Sequence, residues 1–291
     1  MYKTKIFKIS KLLHNNIKYL LDTKYLNESF KNNGYIAGGA ALNLFYLLNN
    51  NVDENKIHTT FTGTLTKYSL LDQRETKRSL SDIDIFFSNK EDAYKIADIV
   101  EKENLNKKIF TKFPSNNVQY VEVHSLNSLL NHKYLNYYLY QFITSNHGNN
   151  NITEVLDNFD ITNTKIAYKF IDNEVHFIYD ERIEELTDKK QIQLDNCNDK
   201  TKLRILKKIN QMLYFFYDSK VSITEDSINL ILQRIDEKDH ISYKEMSILK
   251  GLFFNKEDCK KLLDIIVKNK DKFDNDSCFN SLKNNLNYKI K

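Results

Sequence analysis

Apolar spacing divides the chain into a half with two periods and a half with one. Between residues 5 and 30, Ile6, Ile9, Leu12, Leu13, Ile17, Leu20 and Leu21 recur at helical intervals and predict an amphipathic helix. A short strand is expected at 35–37. A buried helix should follow at 40–48, stopped by Asn49-Asn50-Asn51. Residues 52–80 are polar, and the run Thr59-Thr60-Phe61-Thr62-Gly63-Thr64-Leu65 reads as a hairpin or flap. Ser81-Asp82-Ile83-Asp84-Ile85-Phe86-Phe87 alternates in its first half, which is a strand pattern. A helix is predicted at 90–103 and strands at 108–113, 118–124, 139–144, 160–171 and 174–179, the last two turning at Asp172-Asn173. Beyond 200 only helices are signalled, at 200–217, 224–236, 243–253 and 256–270. The expected organisation is α+β: a mixed-sheet domain over 1–180 with an insertion at about 50–80, a joint at 181–199, and an all-α domain over 200–291.

Composition narrows the partners. The chain has 291 residues, 41% hydrophobic and 28% charged, and no apolar run approaches the roughly 18–20 residues of a membrane span. No signal-peptide core opens it, and three scattered cysteines make no disulfide framework or zinc pattern, so a cytoplasmic protein away from membranes is expected. The net charge of +4 is too mild to announce nucleic-acid binding by itself. Asn, Lys and Ile replace Gly, Pro, Ala and Arg, a usage that suits an AT-rich genome such as that of a phage, virus or parasite. One proline and six glycines leave Asn and Asp to make most turns. Three of the six glycines fall together, at Gly34, Gly38 and Gly39, where backbone must turn tightly or approach something closely.

Candidate chemistry gathers around that cluster. Asp82 and Asp84, two apart on a strand, leave one face with Cα atoms roughly 6–7 Å apart. Such a pair suits joint ligation of Mg²⁺ or a two-metal bridge. Asp160, flanked by Phe159 and Ile161 in an expected strand, is a third candidate ligand. Three carboxylates converging at about 5 Å would repel by about 3 kcal/mol per pair at an effective dielectric of 20, so a divalent cation, or protonation of one acid, must accompany them. Glycines opening a helix present free amides and a positive dipole end to phosphate. Either feature alone is common in structural turns and strands. Together they are two halves of a phosphoryl-transfer site.

These residues resemble a known signature. Gly38-Gly39, a helix, then Asp82-Ile83-Asp84 is similar to the pattern of the DNA polymerase β-like nucleotidyltransferase superfamily. Asp160-Ile161-Thr162-Asn163-Thr164-Lys165-Ile166-Ala167-Tyr168 and Thr201-Lys202-Leu203-Arg204-Ile205-Leu206-Lys207-Lys208 resemble two motifs of its CCA-adding enzyme and bacterial poly(A) polymerase branch. The resemblance covers about 35–220. It implies a polymerase β-like domain, a nucleoside triphosphate substrate, two Mg²⁺ ions on Asp82, Asp84 and Asp160, and an RNA 3′ end as acceptor. It also implies nucleotide contacts from Gly38, Gly39, Ser81, Arg204, Lys207 and Lys208. The chain departs from the pattern in three places: some thirty extra residues before Asp82, Asn158-Phe159 in place of paired arginines, and Thr201 in place of an aspartate. Two alternatives stay open, a non-catalytic binding or scaffold protein of this fold and a toxin-like transferase that modifies another acceptor.

Overall fold

The computed structural model describes residues 1–49, 81–87, 89–104, 110–114, 118–126, 137–145, 151–195, 222–237, 240, 255–273 and 275–291. The expected insertion at 50–80 and the expected helices at 200–217 and 243–253 lie outside them. The chain divides into two units. The first holds Met1–Phe159 and Asn163–Ile183, and the second holds Asp160–Thr162 and Glu184–Lys291.

The first unit is a mixed eight-stranded sheet with most of its helices on one face. Its strands are β1 (Tyr2–Lys8), β2 (Gly34–Ala37), β3 (Ser81–Phe87), β4 (Phe110–Pro114), β5 (Val118–Leu126), β6 (Tyr137–Ser145), β7 (Ile166–Ile171) and β8 (Glu174–Asp180). They lie in the order β1-β8-β7-β2-β3-β6-β5-β4, antiparallel throughout except for β3 and β6. The helices are α1 (Lys11–Asn16), α2 (Lys18–Leu21), α3 (Lys24–Lys31), α4 (Gly39–Asn49), α5 (Lys90–Asn104) and α6 (Ile152–Asp157), while α7 (Arg182–Asp188) has its first two residues in this unit and the rest in the second.

Alternation along the strands decides which face is sealed. Ile36, Ile83, Ile85, Phe87, Tyr168 and Phe177 are at most 1% exposed and form the inner face. Leu20, Leu21, Leu26 and Phe45, contributed by α2, α3 and α4, are buried with them. Each such side chain contributes about 1.5–3 kcal/mol by leaving water. Phe45 meets Phe177 and Tyr179 with ring centroids 5.2 and 4.7 Å apart. The buried Tyr168 hydroxyl donates to the Leu20 carbonyl at 2.8 Å, which satisfies that polar tip within the core. Among the described residues, α6 packs on the outer face, through Ile152, Val155 and Leu156 against Ala37 and Ala167.

Two expected elements are corrected. The single helix over 5–30 is a strand followed by three short helices. Tyr2–Lys8 pairs with β8 as a lysine-bearing edge, which leaves Ile6 56% exposed. Ser10 and Thr23 then accept N–H bonds from Leu13 and Leu26, capping α1 and α3 and cutting the helical run. The strand over 160–171 begins only at Ile166. Thr162 turns its N–H to Gln193 O and its hydroxyl to Asp195, and residues Thr162–Thr164 form a 3₁₀ turn. The hairpin at Asp172-Asn173 is present, with φ of 51° and 63° joining the paired Ile171 and Glu174.

In the second unit, β9 (Gln191–Ile192) pairs in parallel with β10 (Ser222–Ile223), and Ile161 bridges Leu194. Helices α8 (Glu225–Asp236), α9 (Lys256–Lys268) and α10 (Asp276–Ile290) bury Ile231, Leu262, Ile266, Leu282 and Leu286. Asn255 and Asn275 cap α9 and α10, the turn role that a glycine-poor chain assigns to asparagine. Cys259 and Cys278 are free thiols. No helix among the described residues is long and apolar enough to cross a membrane.

The glycine cluster resolves into two different needs. A Cβ on Gly34 would lie 2.8 Å from Ser29 O and 2.9 Å from the Phe87 ring. Gly34→Ala is therefore expected to cost about 1–3 kcal/mol by overpacking, read as a lower urea midpoint with unchanged slope. Gly38 has φ of +76°, whereas its Cβ would meet Phe159 at an ordinary 3.5 Å. The penalty there is conformational, so Gly38→Ala should lose about 1–2 kcal/mol. Gly38→Asn should lose less, because asparagine tolerates the left-handed region, and equal losses in urea melts would refute this account.

Candidate functional site

Strand β2 ends at Ala37, and Gly38 turns the chain into α4. The Gly38 carbonyl accepts the Leu42 N–H at 2.9 Å, while its own N–H donates to Ile166 O at 3.0 Å. That amide belongs to the sheet, which corrects the expectation that it holds a phosphate. The amides that open α4 start at Gly39, and both Gly39 and Ala40 are half-buried.

Asp84 stands on the outer face of a central strand. Ile83, Ile85 and Phe87 are 1% exposed or less on the inner face, so the pleat turns Asp84 and Phe86 outward, where both are half-buried. The pairing Ile36↔Ile85 continues by one step to set Ala37 across from Asp84, which brings the acid beside the β2–α4 turn. The Asp84 Oδ1 atom is shielded from solvent. The backbone of Asp82 pairs with Leu139. The side chains of Asp82 and Ser81 lie outside the described set. An acid pair on an exposed edge strand commonly does nothing, but β3 runs between β2 and β6 in the middle of the sheet.

Asp160 falls in the second unit, where its carbonyl accepts the Asp195 N–H at 3.0 Å and its side chain is half-buried. Asp195 also accepts the Thr162 hydroxyl at 2.8 Å, which fixes the short segment carrying Asp160. Arg204, Lys207 and Lys208 lie outside the described residues. Among the described residues no three His, Cys, Asp or Glu side chains form a metal-binding group. The donor chemistry nevertheless fits Mg²⁺. Asp84 offers hard carboxylate oxygens, one of them shielded from water, the donor type that Mg²⁺ prefers.

Further residues of this face escape the sequence reading. The Lys169 ammonium rests over the Tyr35 ring, 4.1 Å from its centroid. Burial lowers the Lys169 pKa below the ordinary lysine value, opposed by the field of Asp92. Burial likewise raises the Tyr35 phenol. Phe159, at a position where the resembled branch carries an arginine, stacks on Phe86 with centroids 5.3 Å apart. The alternation Ile85-Phe86-Phe87 could have flagged Phe86 as outward. Nothing local pairs Lys169 with Tyr35, which depends on β7 meeting β2.

Comparisons with known proteins add the following. Among solved structures, the chain is similar to a CCA-adding enzyme solved with ATP, at 16% identity over 90% of this chain and 50% of that one, with a TM-score of 0.47. A CCA-adding enzyme in an apo form matches at 14% identity, over 90% and 54% of the two chains, with a TM-score of 0.48. A tRNA-processing enzyme in an apo form matches at 11% identity, over 97% and 59%, with a TM-score of 0.43. The chain thus spans between half and three fifths of the length of these proteins. No curated protein matches it. The model of the Gabija anti-defense 2 family matches residues 9–189, well over half the chain, and the protein therefore belongs to that family.

Proposed function

We propose that this protein is a template-independent nucleotidyltransferase, moving a nucleoside monophosphate from a triphosphate to an acceptor hydroxyl. One observation carries the proposal: Asp84 lies on the outer face of a central strand, opposite the last residue before the Gly38 turn. The Asp-x-Asp and Gly-Gly resemblance supports the same reading. Asp82, Asp84 and Asp160 would hold Mg²⁺, which when bound supplies charge neutralisation for the triphosphate and a more acidic acceptor hydroxyl. Gly38 provides the turn that opens α4, and the amides from Gly39 onward take phosphate oxygens at the positive end of that helix. Ser81 adds a hydroxyl at the strand's start, and Arg204 with Lys207 or Lys208 contacts the nucleotide.

The acceptor in this reading is an RNA 3′ end, on the strength of the motif around Asp160. The family's name favours a second acceptor, a hydroxyl on a component of the defence system that its members are named for opposing. A partner bound without chemistry is the third outcome of the same experiment.

Mg²⁺ with each nucleoside triphosphate at a hundredfold excess over Kd should stabilise the wild type by about 2.7 kcal/mol, read as a raised Tm. Asp82→Ala with Asp84→Ala should remove that shift. Labelled triphosphate should transfer to pooled RNA 3′ ends, or to a protein of the opposed system. If wild type and double variant melt alike with ligand and neither transfers label, the enzymatic reading fails. Opposition to the defence that persists in the double variant would then mark a binding protein.

A further inference from the structure

The outer face of the sheet carries a transverse row that α6 leaves partly open. Phe86 pairs with Tyr35, Lys169 pairs with His176, and His176 pairs with Ile6. One step out from Ile36↔Tyr168, the register sets Tyr35 across from Lys169, so the row crosses β3, β2, β7, β8 and β1. Ile6 is exposed, and the other four are half-buried. Helix α6 covers the neighbouring row of Ala37 and Ala167 and packs against Tyr35, Phe86 and Phe159. On β3 the row lies two residues from Asp84, about 6–7 Å along the strand.

The chemistry of the row is specific. Its lysine rests on the Tyr35 ring and lies in the field of Asp92, and its His176 stands 3.6 Å from the Glu174 carboxylate. Tyr35 and Phe86 are directly cross-strand, the separation at which two aromatic faces serve one or two stacked bases. Phe159 extends the aromatic surface beside Phe86. A peptide adding itself as a strand needs an unpaired edge, and β2, β3, β7 and β8 are each paired on both sides. Aromatic faces with an ammonium beside them instead suit a single-stranded nucleic acid, whose bases stack and whose phosphates meet the cation.

We infer that Phe86, Tyr35 and Lys169, with Phe159 at their side, form the platform on which the single-stranded end of the acceptor nucleic acid lies beside Asp84. The acceptor role rests on the nucleotidyl-transfer reading above; the binding surface does not. Lys169 is already partly stripped of water where it rests on Tyr35, so less hydration is lost when it meets a phosphate.

The test uses the full chain and a fluorescein-labelled oligo(A) RNA, followed by anisotropy. Tyr35→Leu, which keeps an apolar contact with the α6 cluster, should weaken binding by about tenfold. Lys169→Gln should reduce the slope of log affinity against log salt by about 0.7, the single-strand value for one phosphate contact. Both variants should keep the wild-type Tm shift with Mg²⁺ and triphosphate, which Asp84→Ala should lose. Variants that bind RNA like the wild type would overturn the inference. So would a wild type that binds Mg²⁺ and triphosphate but no RNA, or a Tyr35→Leu protein that loses the triphosphate shift, since the row would then hold the incoming nucleotide. Should Tyr35→Leu fail to fold, the salt slope of Lys169→Gln decides alone. Failure of the triphosphate shift in the wild type tells against nucleotidyl transfer and leaves the RNA arm to judge the surface separately.

Discussion

The pleat of β3 is the constraint from which the site follows. Ile83, Ile85 and Phe87 are sealed against the helix-covered face of the sheet, so the residues between them have nowhere to go but the other face. A one-residue slip would bury Asp84 among aromatic rings and expose three large apolar side chains, a loss no local adjustment could offset. The acid's place is therefore held by the whole inner core. That core includes Phe45 against Phe177 and Tyr179, and Tyr168 tied to Leu20. Asp84 is positioned by this packing from the opposite face.

The glycine turn is locked to the same frame from the other side. Gly38 is bonded into the sheet through Ile166 and into α4 through Leu42, so the helix starts at a fixed point beside β3. Gly34, at the other end of the same short strand, lets β2 approach Phe87 and the end of α3. Two glycines four residues apart thus serve different ends, one steric and one conformational. Both bear on the distance between the acid strand and the helix start.

Features that depend on near neighbours were legible in the sequence. The alternation of β3, the Asp172-Asn173 hairpin, the use of Asn and Asp at turns and the special status of the glycine cluster all rest on contacts within a few residues. Features that depend on distant partners were not. Ile6 fits a helical stripe as well as a strand, and only pairing with β8 decides between them. Thr162 looks like strand until Gln193 and Asp195, some thirty residues on, take its hydrogen bonds. The Gly38 amide looks free for a ligand until Ile166 claims it. The pairing of Lys169 with Tyr35 depends likewise on which strands meet. Helices α6 and α7, at six and seven residues, are too short for a period to show.

A metal held beside the acid strand is the central claim, and it can be observed without turnover. Crystals grown with Mn²⁺ and a non-hydrolysable triphosphate analogue should show an anomalous scattering peak against the Asp84 carboxylate, on the sheet face that carries Phe86 and Tyr35. A triphosphate bound with its metal away from Asp84, or an Asp84→Asn protein that binds Mn²⁺ and the analogue as well as the wild type does, would contradict it.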